Sequence, residues 1–288
     1  MQRRDFITLS ALGFMGFSRG ISRPANYKKP LAIQLYTVRD AVSDDLEKAL
    51  EKLAGLGFTA LEIYGYNGGF FGKSRTEFQA VLKNTGFKVI SSHHTTGIVD
   101  KSKGTLLNDW EKSVDDLNFI GSQYMVCSYL FPEERTVENF KNLPELLEKS
   151  GKITKNSGIQ FAYHNHDFEF EKWDNEINIY DFILENTSPD LVKMELDLYW
   201  ISKAGLDPLD YFDKYPGRFS LWHVKDMQRN TRDFTEIGNG IIDFKRIFEA
   251  REKAGLKHWF LEQDSSDKDI FESIAISKEY IQCHNFFR

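Results

Sequence analysis

The stretch VKMELDLYW, Val192 to Trp200, decides how the rest of the chain is read. Side chains of a β-strand alternate between two faces. On that period Val192, Met194, Leu196, Leu198 and Trp200 share an apolar face, while Lys193, Glu195, Asp197 and Tyr199 share the other. The first face suits packing against helices. The second sets a cation and two carboxylates where a core strand carries Val or Leu. Burying a charge is costly unless it is paired or binds a metal. An edge strand with one wet face would meet that constraint, and so would a strand whose polar face lines a site. The neighbouring strands decide between the two.

A repeating unit surrounds this stretch. A helical pattern ends at a glycine and an apolar strand follows at once, in LAGLGFTALEIYG, LKNTGFKVISSHH, LNFIGSQYMVCSYL, ITKNSGIQFAYHNH and REKAGLKHWFLEQD. Gly57, Gly86, Gly121, Gly158 and Gly255 stand where a helix ends on a left-handed residue. In the helix from Asp44, Leu46, Ala49, Leu50, Leu53 and Leu56 fall on one face. Adding LAIQLYTV from Leu31, VKMELDLYW and RFSLWHVKD gives eight strands. They recur at roughly 30 residues, the length of a right-handed βαβ unit in a parallel sheet. The class is α/β, and eight such units fit a closed (β/α)8 TIM barrel. An open doubly wound sheet would carry a Gly-rich turn after its first strand. Here that turn is LYTVRDAVSDD, and the nearest thing to a phosphate loop is GNG at Gly238 to Gly240. The barrel is expected to occupy residues 26–288 as one domain.

Residues 1–25 read as a targeting segment. Arg3-Arg4 precedes an apolar run from Phe6 to Phe17 that is short for a membrane span. With Asp5-Phe6-Ile7 the pair resembles a twin-arginine signal, which implies export to the periplasm, with no evident cleavage site before Arg23-Pro24. At 288 residues and 41% apolar content the chain can bury a full core. A net charge of −6 argues against a nucleic-acid partner. Two cysteines, Cys127 and Cys283, make neither a disulfide framework nor a thiolate zinc site. Nothing in the sequence sets an oligomeric state.

A barrel of this kind places its active site at the C-terminal ends of the strands. Of seven histidines, His93, His94, His164, His166 and His223 stand at strand ends. Strand five puts His164 and His166 on one face; strand six offers Asp197, strand seven His223 and Lys225, strand eight Glu262 and Asp264. At matching height His164, Asp197, His223 and Glu262 form a candidate site for one divalent metal, Mn²⁺, Zn²⁺, Co²⁺ or Fe²⁺, with a position left for substrate oxygens. Gln34, Tyr36, His94 and Trp200 are candidate substrate-binding residues, with Tyr64 beside them. The polar connection from Arg229 to Gly240 is a candidate lid.

AYHNHDFEF (Ala162 to Phe170), ELDLYW (Glu195 to Trp200), LWHVKDM (Leu221 to Met227), IGNGIIDF (Ile237 to Phe244) and FLEQD (Phe260 to Asp264) resemble the xylose isomerase-like barrel superfamily. That superfamily holds sugar isomerases and epimerases, with inosose dehydratases and endonuclease IV as relatives. The resemblance implies one metal bound by Glu, Asp, His and Glu on strands five to eight. Asp197, His223 and Glu262 match; the strand-five glutamate is replaced by His164, with His166 and Glu169 as nearby substitutes. It also implies a sugar or keto-sugar substrate and proton abstraction α to a carbonyl. Glu262 and His166 are the candidate bases, and Lys225, a rim charge or an enediolate partner, completes the catalytic set. The leading expectation is isomerisation or epimerisation; the alternative is a lyase or dehydratase expelling a β-leaving group from a keto-sugar or keto-glycoside. A metal-free sugar-binding protein is the remaining reading, and a DNA-repair endonuclease is disfavoured by the acidic charge.

Overall fold

The computed structural model describes residues 30–173 and 177–287; residues 1–25, read above as a targeting segment, lie outside them. Eight parallel strands close into a barrel: β1 (Ala32–Gln34), β2 (Ala60–Ile63), β3 (Lys88–Thr95), β4 (Tyr124–Tyr129), β5 (Gln160–His164), β6 (Val192–Asp197), β7 (Leu221–Val224) and β8 (His258–Leu261). Each strand pairs with its sequence neighbours, and β1 closes onto β8 through Ile33 and Leu261. The expected TIM barrel is therefore the fold.

Local chemistry explains the elements between the strands. The helix Leu46–Gly55 begins where the Asp45 side chain accepts from the Lys48 N–H, and it buries Leu46, Ala49, Leu50 and Leu53. The helix Arg75–Thr85 starts in a reciprocal capping box of Ser74 and Glu77 and ends at Gly86, whose φ of 78° is left-handed. Outward-facing Leu61, Val192, Met194, Leu196, Trp222 and Leu261 pack under the helices. Inside the barrel, Ala32, Ala60, Ile90, Val126, Ala162 and Phe260 form a separate apolar floor. Above that floor the interior turns polar.

One reading of the sequence is corrected here. Strand six does not run to Trp200: it stops at Asp197, and Leu198–Lys203 is helical. Asp197 itself ends the strand, because its Oδ1 accepts from the N–H groups of Tyr199 and Trp200 and caps the helix. The GNG segment is no phosphate loop, since the Gly238 and Gly240 N–H groups donate to Asp226 Oδ2. Asp226 also takes the Met227 and Ile242 N–H groups on Oδ1, so one buried carboxylate pins both ends of the connection after β7. Within it, Asp226–Met227 pairs antiparallel with Phe234–Thr235. Among the described residues no helix is long and apolar enough to cross a membrane.

Candidate metal centre and active site

At the C-terminal mouth of the barrel lies a cavity of about 1040 Å³, walled by residues that follow all eight strands. His164, Asp197, His223 and Glu262 meet at its base, each offering a ligand atom within 4.8 Å of the others. Their heights do not match strand by strand. In register His164 lies beside Glu195, Asp197 beside His223, and His223 beside Phe260, two residues below Glu262. Barrel shear staggers the strands, so the four converge by stepping along the tilt.

The donor atoms suit a cation. His164 Nδ1 lies 3.1 Å from the Ser128 carbonyl; donating there, the ring turns the Nε2 lone pair toward Asp197 Oδ2, 3.4 Å away. Burial lowers the His164 pKa to about 4, against the pull of Asp197, so at neutral pH an acceptor faces an acceptor. His223 Nδ1 stands 2.6 Å from Glu262 Oε2, an ion-pair contact that, among the described residues, lacks the alignment of a hydrogen bond. Two imidazole nitrogens and two carboxylate oxygens are the ligand chemistry of Zn²⁺ and its first-row neighbours. The His223 Nε2 approaches Glu62 Oε2 at 2.5 Å, the carboxylate–histidine arrangement that orients metal-binding imidazoles.

Lys225 is no rim charge. It is buried, and its ammonium lies 3.0 Å from Asp197 Oδ2, 2.7 Å from Glu262 Oε2 and 2.8 Å from Asp264 Oδ2. Burial opposes its charge, but Asp197, Asp264 and Glu262 outweigh burial and hold its pKa well above the lysine range. Conversely burial resists ionisation of Glu262, while Lys225 and His223 overcome that and hold it well below the carboxylate range.

His166 does not share strand five with His164, because β5 ends at His164. It stands beyond the strand end on the cavity wall, its ring 4.9 Å from that of His164 and 5.3 Å from Trp200. Burial, helped by His164 and Lys225, pushes its pKa well below the histidine value, and its Nδ1 has no hydrogen-bond partner among the described residues. Glu169 takes no part in the ligand cluster. Fully buried, it accepts from Tyr163 Oη at 2.8 Å and from the His166 N–H at 2.8 Å, and so fixes the backbone that carries His166.

Of the candidate substrate residues, Tyr36, His94 and Trp200 line the cavity. His94 Nδ1 lies 2.7 Å from the Gly104 carbonyl, while His94 Nε2 and Trp200 Nε1 are buried without hydrogen-bond partners among the described residues. Gln34 does not reach the cavity; it is fully buried, donates to Glu62 Oε2 at 2.8 Å and accepts from the Tyr36 N–H. From the candidate lid, Phe234 joins the wall. Sequence reasoning missed Glu62 and gave no role to His93 or Glu195. The signal for Glu62 was its place beside Gln34 at the inward position of β2, legible only once strands one and two are set in register.

The comparisons with known proteins agree with this architecture. The model of the xylose isomerase-like TIM barrel family matches residues 50–280, and the chain belongs to that family. An inosose dehydratase of Lacticaseibacillus casei is 30% identical over 166 residues, 51% of this chain and 55% of that protein, so the match spans about half of each. One from Bacillus cereus is 24% identical across 77% of this chain and 86% of its own length. Among solved structures, a sugar phosphate isomerase/epimerase from Parabacteroides distasonis superposes with a TM-score of 0.78 at 28% identity, covering 92% of this chain and 98% of its own. A more distant structure, IOLI protein with a bound zinc atom, shares the fold at a TM-score of 0.67 and 14% identity, covering 90% of this chain and 98% of its own.

Proposed function

We propose that this protein is a metal-dependent lyase that eliminates a β-leaving group from a keto-sugar or similar polyhydroxylated ketone. One observation carries the choice of elimination: the carboxylates at the proposed metal site are not free to act as a second base. Asp197, Glu262 and Asp264 are all held by the Lys225 ammonium. Epimerisation removes a proton from one face and returns it to the other, which needs a proton-transfer group on each side. Elimination needs one. A divalent ion on His164, Asp197, His223 and Glu262 would polarise a carbonyl, a stabilisation of several kcal/mol for developing negative charge.

The chain's own residues supply the rest. His166, neutral at pH 7, accepts the α-proton. The electron pair of the broken C–H bond forms the double bond as the β carbon–oxygen bond breaks, and His166 can pass its proton to the departing oxygen on the same face. Lys225 keeps its charge and steadies the enolate oxygen. Trp200 Nε1 and His94 Nε2, donor or acceptor sites without internal partners, are free to bind substrate hydroxyls. The dehydratase names of the similar sequences support the same choice.

The test is product analysis in deuterated water with a panel of 3-keto and inosose-type substrates. An unsaturated ketone absorbing in the ultraviolet is expected. Deuterium washed into a recovered sugar or its isomer, with no unsaturated product, would return the assignment to isomerisation. His166→Gln should keep the metal and lower turnover about 10²- to 10⁴-fold, the usual contribution of a positioned base.

A further inference from the structure

Directly below the proposed metal site lies a second convergent set: Glu62 from β2, His93 from β3, Glu195 from β6 and His223 from β7. His223 belongs to both. Its Nδ1 faces the upper set, while its Nε2 lies 2.5 Å from Glu62 Oε2 and 3.4 Å from Glu195 Oε2. His93 Nε2 closes the figure, 3.2 Å from Glu62 Oε2 and 2.7 Å from Glu195 Oε2. We propose that these four side chains hold a second divalent cation, most suited to Zn²⁺, and that His223 bridges the two ions as an imidazolate, its last ring proton released to solvent.

Three features carry this. First, the geometry is close to a coordination shell. A tetrahedral zinc ion with bonds of about 2.1 Å spaces its ligand atoms about 3.4 Å apart, and the observed spacings run from that value downward, so the set has only to spread. Second, Glu62 and Glu195 are wholly buried, and the second oxygen of each, Oε1, has no hydrogen-bond partner among the described residues. Buried carboxylate oxygens are seldom left so, and a cation bound through the Oε2 of each carboxylate would offset the charge that the group carries. Third, the charges offset: two carboxylates balance the dication, His93 is neutral and the His223 imidazolate is shared between the two ions, which lowers the cost of placing two acids in a barrel throat. Gln34 then has its own part, because its Nε2 fixes Glu62 Oε2 from outside the shell.

The second ion does not depend on which reaction the protein catalyses, and counting metal tests it apart from that reaction. Full-length protein stripped with chelator is reloaded with Zn²⁺, desalted and assayed by plasma emission, with Co²⁺ absorption as a second readout. Two equivalents per chain are expected, falling to one in Asp197→Ala and to one in Glu62→Gln/Glu195→Gln. His93→Gln serves in place of the double variant where that does not fold. A parent with one equivalent that survives the loss of Glu62, Glu195 or His93 overturns the second ion and leaves the upper site standing. One equivalent that survives Asp197→Ala but not the lower-set changes upholds the lower ion and removes the upper. No retained metal overturns both.

Discussion

The two oxygens of Asp197 serve different ends. Oδ1 caps the helix Leu198–Lys203, and Oδ2 faces His164, His223 and Lys225. Asparagine keeps the cap and loses the charge, whereas alanine loses both. Asp197→Asn and Asp197→Ala should each lose one metal equivalent, and alanine should be less stable than asparagine by about 1 kcal/mol, the value of an N-cap. Equal melting in the two would remove the capping role. Glu169 yields a test in pH. Burial raises its pKa to about 8, despite bonds from Tyr163 and the His166 backbone. A carboxyl whose folded pKa is raised binds more protons folded than unfolded, so its contribution to stability is full below about pH 4.5 and is lost as pH climbs to about 8. Urea unfolding between those limits should therefore show the parent losing stability relative to Glu169→Gln, by at most about 1.4 kcal/mol per pH unit. A constant difference between the two would mean that Glu169 ionises normally.

Among the elements, the connection after β7 shows how a loop becomes part of a wall. Asp226 gathers four backbone N–H groups, and the short ladder they anchor carries Phe234 against Tyr199, ring centroids 4.2 Å apart, and Trp200, 5.7 Å apart. Asp226→Asn puts an amide donor where N–H groups point. Leaving buried donors unpaired costs about 1–3 kcal/mol, so the variant should melt earlier and be cut faster by protease between residues 229 and 240. Its metal content should stay at the parent level, since Asp226 touches no ligand. Unchanged proteolysis would show that the loop is held by its aromatic packing alone. The helix after β6 teaches the same lesson on strand ends: one side chain stopped the strand, and Trp200 reached the cavity from a helix.

At the scale of the molecule, the first 25 residues make a claim separate from the barrel. Export through a twin-arginine route is proposed from Arg3-Arg4, and replacing both with Lys should keep the protein in the cytoplasm on fractionation; an unchanged periplasmic pool would sink it. The barrel itself was legible in the chain. Apolar alternation, the glycine at each helix end and the spacing of the units are local properties, and they determined eight strands, their order and which side chains point inward. They also singled out His164, Asp197, His223 and Glu262, because polar residues at inward strand ends stand against the apolar rule. What alternation reports is a face, never a height. Height comes from shear, which only closure of β1 onto β8 sets, and it was the tertiary structure that brought Glu62, His93 and Glu195 together beneath His223, turned Gln34 inward to Glu62, and buried Lys225 among three carboxylates. Those contacts join strands far apart in sequence, so no local pattern could encode them.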